Sequence, residues 1–199
     1  MLRLQFSINL LKQDTSLLQL FIKYKSVLAF ILTFLGSYLA LSFIYGLYLD
    51  LFQSSKYFPD FFTYVVARKS EALIEFLGYA SEVVPNQGEP SMKLYVEGVF
   101  LARIVEGCNS ISIIILFISF LFSFFGKFKT TMLYLMGGVI TIYVINIFRI
   151  ALLSITLYEY PQYTTFLHSV VFPLIIYGTV FILWVFWVRI FSKPIRNEG

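Results

Sequence analysis

Residues 27–49, VLAFILTFLGSYLALSFIYGLYL, run for 23 positions without one charged side chain. A helix needs about 20 apolar residues to cross a hydrocarbon layer ~30 Å thick. The run therefore predicts a first membrane span over 27–49. It is too long for the apolar region of a signal peptide, and no small-x-small cleavage site follows before Asp50–Tyr57, so the expectation is that it stays in the mature chain.

Three more apolar runs lie C-terminal to it, at about 108–125, 130–158 and 166–191. The 199 residues are 59% hydrophobic and 13% charged, which excludes a soluble monomer. The expectation is an all-α polytopic membrane protein, one integral membrane domain over 1–199 with about four transmembrane helices. The formal charge of +4 does not imply nucleic acid, because the basic residues flank apolar runs, where they orient helices. Arg3, Lys12, Lys23 and Lys25 precede the first run; Lys127 and Lys129 separate the second from the third; Arg189, Lys193 and Arg196 end the fourth. The Tyr158–Thr165 turn carries only Glu159, and 50–107 has more acids than bases. Both termini are thus expected in the cytoplasm of a multi-pass inner-membrane protein, with 50–107 outside.

Within that outer segment, Phe58, Phe61, Phe62, Val65, Val66, Leu73, Phe76, Leu77 and Ala80 recur at helical spacing, which predicts an amphipathic helix on the membrane surface. Pro85–Pro90 reads as a loop, and the alternation over 92–105 around Glu97-Gly98 predicts a short β-hairpin.

Three chemically costly or reactive residues fall on the outer side. Cys108, in Glu106-Gly107-Cys108-Asn109-Ser110-Ile111, is expected at or near the N-terminus of the second span, where unpaired N–H groups and the helix dipole favour a thiolate; Asn109 or Ser110 would cap. The plain alternative is a small apolar packing residue. As the single cysteine it forms no internal disulfide, which excludes a dithiol oxidoreductase. Arg149 lies about nine residues, or roughly 13 Å, inside the outer end of the third span. An arginine in the bilayer costs about 2.5 kcal/mol or more and usually faces a polar cavity; Asn146 shares its helix face. Its alternatives are snorkelling or a structural pair with Glu106 or Glu159. His168, the only histidine, opens the fourth span and exchanges protons near neutral pH. Alone, it is an ordinary interfacial residue.

Jointly these groups suit acyl transfer. Cys108 attacks a peptide carbonyl, His168 protonates the leaving amine and activates the acceptor, and Arg149 stabilises the thiolate or the oxyanion. No metal set or other cofactor is indicated, since no carboxylate cluster joins the lone Cys and His.

At these residues the chain resembles the exosortase/archaeosortase family, polytopic membrane enzymes with a Cys at the start of one membrane helix, an Arg within the next and a His opening the one after. The matching positions are Cys108, Arg149 and His168, over roughly residues 90–190, and the short Bacteroidetes exosortases are the most similar. The family's common Cys-Ser-Gly is here Cys108-Asn109-Ser110, and many relatives have more helices. The resemblance implies a cysteine peptidase/transpeptidase for exported proteins that carry a C-terminal transmembrane tail, with the substrate helix in lipid beside the second to fourth spans. As a separate hypothesis, the 92–105 hairpin receives the recognition motif as an added strand. Four helices are few to enclose a site, so a membrane partner or homo-oligomer is expected.

Three other readings compete. One is a non-catalytic membrane scaffold or assembly partner in surface-protein export. Another is a serine peptidase using Ser110 or Ser169, although Gly-x-Ser-x-Gly is absent. The last is a small transporter, which the lack of paired broken helices disfavours.

Overall fold

The computed structural model describes residues 2–51, 57–124 and 127–190. Helix α1 (Leu2–Leu51) is followed by α2 (Phe61–Phe76), strands β1 (Ser81–Pro85), β2 (Met92–Val96) and β3 (Val99–Ile104), a 3₁₀ turn at Glu106–Cys108, and helices α3 (Ile111–Ser123) and α4 (Phe128–Glu159). A 3₁₀ turn at Pro161–Tyr163, the single turn α5 (Thr164–Phe166) and a π turn at Leu167–Val171 lead into α6 (Phe172–Ile190).

Three helical stretches, Lys23–Leu51, Phe128–Glu159 and Pro161–Arg189, are long and apolar enough to cross a membrane. The chain is a mostly α membrane protein with one small sheet. The expected second span differs: α3 has 13 residues, about 20 Å of helix, short of a ~30 Å slab. Its start is delayed because Glu106–Cys108 is wound as a 3₁₀ turn and Ser110 is left-handed at φ +65°.

Aromatic packing joins the long helices at one end. Phe30 of α1 meets Phe120 of α3 and Phe124 just beyond its end, and Phe120 stacks on Trp184 of α6 at 4.4 Å. The Tyr134 hydroxyl donates to the Leu183 carbonyl at 2.6 Å, and Trp187 Nε1 donates to that of Phe124 at 3.3 Å. Against α4, α3 approaches closely only because position 138 is glycine: a Cβ there would overlap the Phe117 ring.

At the other end a second core forms. The predicted hairpin is present, its two-residue turn Glu97-Gly98 having both φ values positive, as a type I′ connection requires. A third strand, β1, pairs antiparallel with β2, giving the order β1-β2-β3 with a bulge at Leu94/Tyr95. Its inner face (Val83, Met92, Leu94, Val96, Ile104) packs on Val66, Ala67 and Ile74 of α2 and on Ile150 and Ala151 of α4.

Helix α2 therefore does not simply rest on a lipid surface. Its buried stripe is Thr63, Val66, Ala67, Ser70, Glu71 and Ile74, whereas Phe61, Phe62, Phe76 and Leu77, expected on the apolar face, are exposed. The start of α2 is fixed by Asp60, whose carboxylate accepts from Phe62 N and Thr63 N. Glu71 ties the helix to the sheet by accepting from Val83 N at 2.9 Å.

Candidate functional site

Cys108 ends the 3₁₀ turn, half-buried, packed against the edge of the sheet–α2–α4 core. It lies three residues before the first residue of α3, near the start of that helix but outside its first turn. Its main chain is held from several directions. Cys108 N donates to Val105 O at 2.8 Å, and the Asn146 side-chain amide of α4 donates to Cys108 O at 2.7 Å.

The next residue is the better-anchored one. Asn109 is buried, and its Nδ2 donates to the Tyr45 hydroxyl of α1 at 2.8 Å and to Thr63 Oγ1 of α2 at 3.1 Å. Its Oδ1 accepts from Ile111 N at 2.9 Å, so Asn109, rather than Ser110, satisfies the first turn of α3. Ser110 is buried with its hydroxyl donating to Asn109 O at 2.6 Å, an occupied geometry for a residue once considered as a nucleophile.

Arg149 sits one turn beyond Asn146 on the same face of α4. Its Nε is buried with no hydrogen-bond partner among the described residues. Neither Glu106 nor Glu159 forms a salt bridge with it. A guanidinium N–H left without a partner, one turn along α4 from the residue that holds the Cys108 carbonyl, can hold a negative charge that forms near it.

Two residues before Cys108, Glu106 has its carboxyl raised from the ordinary value by partial desolvation and by the charge of Asp60, although the residue keeps an exposed face.

His168 stands apart. It lies exposed on the π turn before α6, with its ring edge-on to Phe172 at 6.0 Å, and among the described residues it makes no hydrogen bond. The structure joins Cys108 to Asn146 by a hydrogen bond, with Asn109 and Ser110 next in the chain and Arg149 one turn further along α4; among the described residues no hydrogen bond or ring contact links His168 to them. Among the described residues no group of His, Cys, Asp and Glu has the arrangement to hold a metal ion.

Sequence reading missed Tyr45 and Thr63, the two hydroxyls that hold Asn109. Tyr45 looks like one more aromatic residue of an apolar run and Thr63 like a helix-start residue. Only the approach of α1 and α2 to the 108–110 turn gives them a partner. Comparison with protein-family models, curated proteins and solved structures yields no match to this chain.

Proposed function

We propose that the protein is a membrane-embedded cysteine peptidase/transpeptidase of the exosortase/archaeosortase type, which cleaves the C-terminal transmembrane tail of exported proteins. The observation that carries this reading is the Cys108–Asn146–Arg149 arrangement: a half-buried cysteine on a turn pinned from α4 by Asn146, with Arg149 one turn further along the same helix face and its Nε without a partner among the described residues.

In the reaction, Cys108 Sγ attacks the scissile carbonyl carbon and Arg149 balances the charge of the thiolate and then of the oxyanion. The C–N bond breaks, the leaving amine takes its proton from His168, and the acyl group stays on sulfur as a thioester. Water or an acceptor amine, deprotonated by His168, then attacks the thioester and releases the thiolate. This requires the His168 imidazole to reach hydrogen-bond distance of the reacting groups at Cys108. The segment 161–171, built from short 3₁₀, α and π turns with most side chains exposed, is the part of the bundle suited to that movement when a substrate helix packs beside it.

The depth of the site suits a peptide bond just outside a membrane helix. Both termini lie on the cytoplasmic side in this reading only with the 13-residue α3 as a fourth crossing, the bilayer thinning around it; about 20 residues of α4 counted from Phe128 then span the ~30 Å slab, with Arg149 near its outer margin. The inner membrane is the corresponding location, with the site facing away from the cytoplasm.

The decisive experiment expresses the full chain with a tailed reporter protein and follows removal of the tail, with mass spectrometry of Cys108 for a reporter adduct. Cys108→Ala and Arg149→Ala are expected to insert normally and to leave the tail intact. The exposed position of His168 favours a second reading, a non-catalytic membrane scaffold. Full tail removal by Cys108→Ala would establish that reading and sink the first.

A further inference from the structure

A cleft of about 520 Å³ opens beside the nucleophile turn. It is bounded by the outer end of α1, the residues before α2, the loop between β1 and β2, and residues 105–107. Its described lining includes Asp50, Asp60, Glu89 and Glu106 and no lysine or arginine. Two of these carboxylates are engaged, Asp60 at the start of α2 and Glu89 with Arg103. Asp50 and Glu106 are exposed and form no salt bridge among the described residues.

The wall nearest Cys108 is bare. A Cβ at Gly107 would meet no atom within 4 Å, and Gly107 does not have a positive φ. Neither its own backbone conformation nor the close approach of another part of the protein requires glycine at 107. The space its missing side chain leaves lies against the residue that precedes the thiol.

We propose that this cleft receives the peptide segment flanking the scissile bond and selects a basic side chain there. The proposal rests on Cys108 being the nucleophile. The substrate main chain passes over Gly107, which puts its carbonyl within reach of Sγ, while the basic side chain lies between Asp50 and Glu106. A recess lined by one sign of charge concentrates ligands of the opposite sign, and low-dielectric walls strengthen the effect.

The chain's single cysteine makes the test direct, because any thiol label reads the potential at one place. The full-length protein in vesicles of uncharged lipid is treated with two methanethiosulfonates of similar size, one bearing trimethylammonium and one bearing sulfonate, and each rate is normalised to a small free thiol. The cationic reagent is expected to be favoured by about tenfold or more at low salt, the preference shrinking as salt is added. Arg149 alone would produce the opposite preference. Asp50→Asn with Glu106→Gln is expected to bring the rate ratio to that of the free thiol. Gly107→Val is expected to slow both reagents with little change in their ratio, a pattern that a misfolded protein would not give. Equal rates, a faster anionic reagent, failure of both reagents to label, or a ratio unchanged in the double variant would each overturn the proposal.

Tailed reporters with Lys, Gln or Glu placed next to the tail supply the second arm, with Lys expected to be cleaved fastest. Cleavage indifferent to that charge overturns the selection of a basic side chain and leaves the peptidase reading intact. No cleavage of any of the three counts against the peptidase reading, while the labelling ratio still decides the charge preference of the cleft.

Discussion

The side-chain amide of Asn146 and the main-chain carbonyl of Cys108 are joined by a 2.7 Å hydrogen bond that links α4 to the turn carrying the thiol. Asn146 is 1% exposed and the bond itself part-buried, so water replaces it poorly if it is lost. Asn146→Leu is expected to destabilise the protein by about 1–3 kcal/mol, the cost of an unpaired buried acceptor. Its alkylation rate at Cys108 should change as well, because the turn is no longer fixed. Thermal unfolding in detergent and a labelling time course check the two effects separately.

Gly138 and Phe117 set the spacing of α3 and α4, and the ring occupies the volume a Cβ would need. Gly138→Ala is expected to cost about 1–3 kcal/mol through overpacking, despite alanine's better helix propensity. Phe117→Ala combined with it should recover part of the loss measured for the two changes singly. Additive losses in that double-mutant cycle would mean that the two positions do not press on each other.

Ser110 has a left-handed backbone at φ +65° without being glycine. Ser110→Gly removes the Cβ penalty, of order 1 kcal/mol, at the loss of one hydroxyl bond to the preceding carbonyl. The expected outcome is stability equal to or slightly above wild type, with tail cleavage retained. Loss of cleavage in a folded Ser110→Gly protein would point to a chemical role for the hydroxyl.

Glu106 gives a pH dependence whose sign follows from the direction of its shift. A carboxyl with a raised folded-state pKa binds its proton more tightly in the folded protein. Its contribution to stability is therefore full below the ordinary carboxylate pKa and is lost as pH rises through the folded value. Glu106→Gln is accordingly expected to melt higher than wild type at pH 7, with the gain vanishing in acid below the carboxylate range. A gain of equal size at every pH would assign the effect to packing instead.

Much of the architecture was legible from apolar run lengths, since 27–49 and 130–158 fall inside α1 and α4. The run at 108–125 misled because hydropathy cannot register a left-handed residue: Ser110 interrupts the backbone while its neighbours remain apolar. Strand β1 was hidden by Pro85, which reads as a loop residue yet ends an edge strand, where a missing N–H costs no ladder bond. At the site, the Asn146–Arg149 spacing was readable because i, i+3 positions share a helix face. Tyr45 and Thr63 were not, because their pairing with Asn109 crosses 64 and 46 residues of sequence.

Helix α4 is continuous over 32 residues, about 48 Å, and one rod serves both cores: Ile142 packs in the aromatic end, Ile150 and Ala151 under the sheet. No joint separates the two layers along it. Any change in the tilt of this rod, as when the surrounding bilayer thins or thickens, must swing the sheet, α2 and the thiol-bearing turn as one lever.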